Sequence, residues 1–224
     1  MIAIVAALPR EVAGLVHGWK AHRKLREQGI FSWTSANAVV VAAGMGAGRA
    51  TLAVEAALAY GAVSEILSVG LAGACDPAVR VGTVIEATCV VDVRTGERFG
   101  TAASGKEEIL ATGSLIAGVQ EKARLFATYR AVAVDMEAAT VARLALSREI
   151  PFRAIKAISD DYAFELGSLG KFETRHGHFH TRAFALHTAV RPHTWRQAIR
   201  LGRHSQLALA ALTGALIRKL HPEP

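Results

Sequence analysis

An α/β fold in a single domain is what the sequence predicts, and three observations carry the prediction. Continuous apolar runs of strand length alternate with Ala-rich stretches at helical spacing. Glycine clusters stand directly after two of those runs. Of the 224 residues, 51% are hydrophobic and 20% charged, enough apolar material for a sizeable core and too little charge for disorder. No repeat or linker composition interrupts the chain, so one domain is expected over residues 1–224.

Residues 2–7 (IAIVAA) and 38–43 (AVVVAA) are apolar without alternation, the pattern of strands covered on both faces. The second run ends at the glycine cluster 44–48 (GMGAG). Residues 49–60 then recur at helical spacing up to Gly61, a helix stop signal. Residues 66–69 form a third strand leading into 70–74 (GLAGA), and a turn at Asp76 and Pro77 precedes 83–93, one long stretch rich in β-branched residues. The polar, glycine-rich 94–108 reads as a surface loop. A helix over 115–127, a strand over 132–134 and a helix from Glu137 to about Arg148 follow. Residues 151–158 form the last buried strand, ending at Ser159, Asp160 and Asp161, and helices over 175–190 and 192–220 close the chain. The polar groups thus gather where strands end, which in open α/β sheets is where the ligand crevice lies.

The net charge of +7 belongs to one end of the chain. Residues 1–170 hold 17 basic and 17 acidic side chains; residues 171–224 hold 9 and 2, with seven of the nine histidines. The basic tail lacks the interleaved aromatics of a single-strand stacking platform, so no nucleic-acid partner is expected. Cys75 and Cys89 make neither a disulfide framework nor a zinc-ligand spacing. The opening MIAIVAALPREV has no basic segment before its short apolar run, as a first strand and not a signal peptide would. No stretch approaches the ~18 apolar residues of a membrane span. A cytoplasmic location is the expectation.

Each motif has a bland reading beside the chemical one. The turn at 44–48 could present the Gly46 N–H and the Arg49 guanidinium to an anion, or simply pack a helix onto the sheet. Arg49 occupies the third glycine position of a dinucleotide fingerprint, and no P-loop lysine follows. Glu137 is either a ligand-binding carboxylate or a helix-capping acid. Asp160 is either a cap or a general acid, and Asp161 beside it would raise the pKa of one of the two. Glu11 either reaches the crevice or is a solvated acid in a first helical turn. His176 and His180 share a helix face, but no glutamate lies between them and no third ligand is placed, so no metal is expected. A nucleophile elbow is missing too.

Taken together, IAIVAALPREV, AAGMGAGRA, SVGLAGACDPAVRVGTVIEA, AVDMEAATVARLA and IKAISDD, in that order over residues 1–160, resemble the nucleoside phosphorylase/nucleosidase superfamily. That family includes methylthioadenosine/S-adenosylhomocysteine nucleosidase and purine nucleoside phosphorylase. The resemblance implies a three-layer α/β sandwich around a central mixed sheet, with a catalytic core at 1–170 and basic C-terminal helices at 171–224. It implies cleavage of the N-glycosidic bond of a purine nucleoside, with adenine the expected base. Met136 and Glu137 match the pair that binds ribose, Asp160 the acid that protonates the purine at N7, and Ser159 the residue that orients it. Glu11 matches the glutamate that activates water, and Ala72 and Gly73 the loop beside base and sugar. No cofactor is implied, inorganic phosphate being an alternative co-substrate to water. The implied partner is a small-molecule nucleoside, and a homo-oligomer is expected because family sites borrow residues across an interface.

The chain departs from the family at three places. Leu71 replaces a Ser or Thr, Lys156 stands where an arginine often precedes the Ser-Asp pair, and Ser114 or Leu115 takes the place of an aromatic that stacks on adenine. These departures motivate the alternative of a catalytically weakened nucleoside-binding protein. A narrower likeness, in GLAGACDPAVRVG, VDMEA and RPHTWRQAIRL, is to the hopanoid-associated phosphorylase branch, whose members release adenine from adenosylhopane. It gives the basic tail a reading: Arg196, Arg200, Arg203 and His204, with an apolar stripe over 207–220, would form a helix in peripheral contact with an anionic inner-membrane surface. An ordinary terminal helix with a solvated basic face is the plainer reading.

Overall fold

The sheet branches at one long strand, and that branch organises everything around it. The computed structural model describes residues 1–165 and 192–221. The expected helix over 175–190, with His176 and His180, lies outside the described residues, as do the side chains of Trp195 and Arg196. In chain order the elements are β1 (Ile2–Ala6), α1 (Pro9–Val12), β2 (Lys20–His22), β3 (Phe31–Thr34), β4 (Ala38–Ala42), α2 (Ala47–Leu58) and β5 (Glu65–Ala74). There follow β6 (Val84–Ala87), β7 (Cys89–Asp92), β8 (Arg98–Gly100), β9 (Ile109–Thr112), α3 (Val119–Tyr129), β10 (Ala131–Asp135), α4 (Ala138–Leu146), β11 (Phe152–Asp160) and α5 (Pro192–Leu220).

The strand order is β2-β3-β4-β1-β5-β10-β9-β7-β8, with β11 joining β5 and β6 off that path. β5 pairs in parallel with β1 and β11 and antiparallel with β10, so the sheet is mixed. Residues 70–74, expected as a loop, are the second half of β5: Leu71 and Ala72 pair with Ala157 and Ile158, and Gly73 and Ala74 with Val134 and Ala133. The glycines that read as a turn are instead strand positions where side chains from other elements approach closely.

Alternation along the strands explains why they read as unbroken apolar runs. Ala3 and Val5 of β1, Val39 and Val41 of β4, and Ala154 of β11 face a core shared with α2 and α4. Ile4, Val40, Leu67 and Ile155 face the opposite core, which α5 closes with Ala208, Leu212 and Leu216. Helix, sheet and helix make the three layers. The sequence reading missed β2, β3, β8 and β9, short strands in polar surroundings, and Thr88 splits the expected 83–93 strand into β6 and β7. α3 begins at Val119, four residues later than the sequence suggested.

α5 turns Ala208, Leu212 and Leu216 onto the sheet, leaves Ile199, Leu207 and Ile217 exposed, and pairs Arg200 with Asp161 at 2.7 Å. Among the described residues no helix is long and apolar enough to cross a membrane. Leu212→Ala is expected to destabilise the protein by about 3 kcal/mol, the usual result of emptying a fully buried leucine site, read as a lower urea midpoint.

Candidate active site

Strand ends, a tight turn and one face of α5 enclose a cavity of about 470 Å³. Its wall holds Glu11, Ala72, Gly73, Met136, Glu137, Ser159 and Asp160, all named from the sequence. How each carboxylate reaches it is a separate question of local structure.

Glu11 sits in the short helix α1 and is folded back onto the turn that precedes it. One carboxylate oxygen accepts the N–H groups of Ala7 and Leu8 at 3.0 and 2.9 Å, and the other accepts that of Leu71 at 3.3 Å. It is therefore a buried group and not the solvated acid of the plainer reading. Burial raises its pKa, opposed by those N–H groups and by Lys156. The approach of β5 depends on Gly70, which has φ +144° and would bring a Cβ to 3.1 Å from Glu11 Oε2. A side chain there would meet both strain and the carboxylate.

Glu137 occupies the N-cap position of α4 without capping it. The first N–H groups of the helix are taken by other side chains: Ala138 donates to Asp135 Oδ2 at 2.9 Å and Ala139 to Thr112 Oγ1 at 3.0 Å. Glu137 is thereby free to enter the cavity, where its Oε1 accepts the Gly46 N–H at 2.7 Å. Burial, reinforced by the charge of Asp135, pushes its pKa up to about 7. The anion-binding expectation for Gly46 and Arg49 changes accordingly. The Gly46 N–H serves Glu137, and the Arg49 guanidinium donates to the carbonyls of Ala43, Gln28 and Gly29, so the protein itself supplies the acceptors.

Two lysines that the sequence reading did not assign hold the remaining acids. Lys156 Nζ lies 2.8 Å from Asp135 Oδ2 and donates to Ser68 Oγ at 3.1 Å, all of it buried. Burial pushes Lys156 down, but Asp135, Glu137 and Glu11 together outweigh it and its pKa is raised. Lys122, on α3, pairs with Asp160 Oδ2 and also donates to the carbonyls of Asp161 and Phe164 at 3.0 and 3.1 Å. Ser159 Oγ donates to Asp160 Oδ1 at 2.9 Å. Burial pushes Asp160 up and Lys122 pulls it back, leaving it raised. The neighbouring Asp161, expected to raise the pKa of one of the two, does raise Asp160 but less than burial does, and is turned toward Arg200. Gly73 leaves room for the pair: a Cβ there would lie 2.7 Å from Asp160 Oδ2 and 3.1 Å from Lys122 Cε. Of the departures noted in the sequence, Leu71 and Leu115 line the cavity, with Ile116 beside them. The unexpected contributor is α5, through Leu201, Ser205, Gln206 and Leu209. Among the described residues no cluster of His, Cys, Asp and Glu is arranged to hold a metal.

A family model described as "Phosphorylase superfamily" matches residues 1–108 and 109–190. The chain belongs to the phosphorylase superfamily. This phosphorylase-superfamily chain is similar in structure to 5'-methylthioadenosine/S-adenosylhomocysteine nucleosidase from Helicobacter pylori, with a TM-score of 0.71 at 16% identity over 98% of this chain and 97% of the other. Futalosine hydrolase of the same organism gives 0.71 at 16% over 98% and 96%. The Neisseria meningitidis 5'-methylthioadenosine/S-adenosylhomocysteine nucleosidase gives 0.68 at 19% over 95% and 94%. At these identities the likeness establishes the fold, the α/β sandwich expected from the sequence. No curated protein matches the chain in sequence.

The buried Glu137 makes stability depend on pH in a definite direction. With a folded pKa near 7 against an ordinary 4.5, the folded state holds more protons than the unfolded state between those values, so stability falls as pH rises through that window. Its share is of the order of 3 kcal/mol by pH 8. Glu137→Gln, which cannot ionise, is expected to flatten the loss of urea stability between pH 5 and pH 8; an unchanged slope would contradict the assignment.

Proposed function

We propose that the chain cleaves the N-glycosidic bond of a purine nucleoside and releases the free base, with adenine as the base. The observation that carries this is the convergence of three separately held carboxylates, Glu11, Glu137 and Asp160, on one cavity of about 470 Å³, a volume suited to a small molecule. An oxocarbenium-like sugar needs negative charge nearby, a departing purine needs a proton, and the anomeric carbon needs a nucleophile. Asp160 supplies the proton to N7, and Ser159 orients it. Glu137 accepts hydrogen bonds from the ribose hydroxyls beside Met136. Glu11, with three backbone N–H groups fixing its carboxylate, takes a proton from the attacking water.

Water is the nucleophile this arrangement favours. Arg49, Lys122 and Lys156 donate to protein acceptors, and at the cavity rim Arg10 is the cation left for a phosphate among the described residues. The names of the neighbouring structures, two nucleosidases and a hydrolase, support the same choice. For the 5' substituent we propose an apolar, lipid-linked group as in adenosylhopane. Leu115, 72% exposed while lining the cavity, stands at its rim, and Leu201 and Leu209 of α5 add apolar wall.

A nucleoside panel with and without phosphate, including an adenosine carrying a 5'-alkyl chain, tests this reading. Free adenine and an unphosphorylated sugar are expected; a strict need for phosphate would make the chain a phosphorylase, and binding without base release would favour a weakened binding protein. Asp160→Asn is expected to lower kcat by roughly 10²–10⁴-fold, the usual weight of a general acid. Turnover close to wild type in that variant would remove Asp160 from the role.

A further inference from the structure

Among the described residues the largest fully buried side chains are two lysines, Lys122 and Lys156, and Lys122 lies on the cavity wall. α3 carries it on the face that also buries Leu125, so an ordinary helix would place an aliphatic residue there. Its ammonium instead has three acceptors, Asp160 Oδ2 and the carbonyls of Asp161 and Phe164, one for each N–H. Both partners are almost fully shielded, with side chains 1% and 3% exposed, yet both line the cavity. Gly73 keeps the space they need. Cys75, whose thiol burial pushes to about 12, Glu121 and Asp161 are titratable groups close by; Glu121 is engaged by Arg124 and Asp161 by Arg200.

A buried ion pair of this kind changes what Asp160 can do. A carboxylate held against an ammonium rests in its ionised form, and an ionised carboxylate has no proton to give a leaving group. The proton that the base requires must then come from behind the carboxylate. The geometry points to Lys122 as the positioning residue that supplies this proton through Asp160, so that the pair, and not the aspartate by itself, is the acid of the site. This inference rests on the nucleoside-cleavage reading above.

The C1'–N9 bond breaks and its electron pair passes into the purine. As charge grows on the ring, an N–H bond of the Lys122 ammonium breaks and its proton passes to Asp160, which delivers a proton to N7. Lys122 is left as a neutral amine. Water forms the new bond to C1' and gives its own proton to Glu11. That proton returns through solvent to restore the ammonium once the base has left. The net change is nucleoside plus water to free base plus sugar.

The test compares two leaving groups in the same protein preparation, so that any loss of folded protein cancels. One substrate is the purine nucleoside found in the panel; the other carries p-nitrophenolate at C1', which departs as a stable anion and needs no proton. Lys122→Met is expected to lower kcat on the purine nucleoside by about 10²-fold or more and on the p-nitrophenolate analogue by less than about tenfold. Lys122→Arg keeps the charge and donors but holds its protons too tightly to pass one on, and is expected to leave the ratio depressed. An unchanged ratio in Lys122→Met, or a ratio restored by Lys122→Arg, overturns the proton-supply role. Absence of base release by the wild type from every nucleoside removes the cleavage reading itself, a result distinct from either.

Discussion

Four carboxylates buried around one cavity are the constraint to which the rest of this structure answers. Glu11, Asp135, Glu137 and Asp160 are each less than a tenth exposed, and burying an ionised carboxylate without partners is strongly unfavourable. Lys122 and Lys156 supply two counter-charges, and backbone N–H groups supply much of the remaining compensation. Two positive charges do not neutralise four negative ones, so the site carries either excess negative charge or a bound proton. Glu137, poised near neutrality, is where that balance is struck. A sugar acquiring positive charge at its anomeric carbon would meet a surrounding already short of it.

β5 is the element through which this arrangement is assembled. Its first half is locked between β1 and β11, and its second half turns to meet β10, so residues 71–73 stand where three strands and α1 come together. From there the Leu71 N–H reaches Glu11, and the missing side chain of Gly73 admits the Lys122–Asp160 pair. α5 then closes the cavity from the far side with the same helix whose leucines seal one core. Stability and site formation share one element, which ties the order of the pocket to the packing of residues 208–216.

Much of this was legible in the sequence. The buried strands announced themselves because both faces are apolar, and the order of Glu11, Met136-Glu137 and Ser159-Asp160 along the chain placed the acids correctly at one cavity. The short strands β2, β3 and β8 were not legible, because three or four residues in polar surroundings leave no periodic signal. Lys156 stood out by position but not by role, and Lys122 was not assigned at all. Lys122 did leave a trace, a charged residue three positions from Leu125 on the buried side of a helix, but a single lysine at such a place reads as a solvated side chain until its partner is known. Asp135 was hidden for a related reason: its partners Thr112 and Lys156 are distant in sequence, and only the pairing of β10 with β9 and the packing of β11 bring them together.

The capping of α4 by Asp135 and Thr112 separates two duties that a single residue often combines. Position 137 can change without unmaking the helix that follows it, because the helix draws its first acceptors from elsewhere. A descendant of this chain could therefore lose this cavity carboxylate in one substitution and remain a well-folded protein that still presents a shaped cavity. The architecture is open to drift from catalysis toward plain ligand recognition, and the route passes through residue 137 while leaving the scaffold untouched.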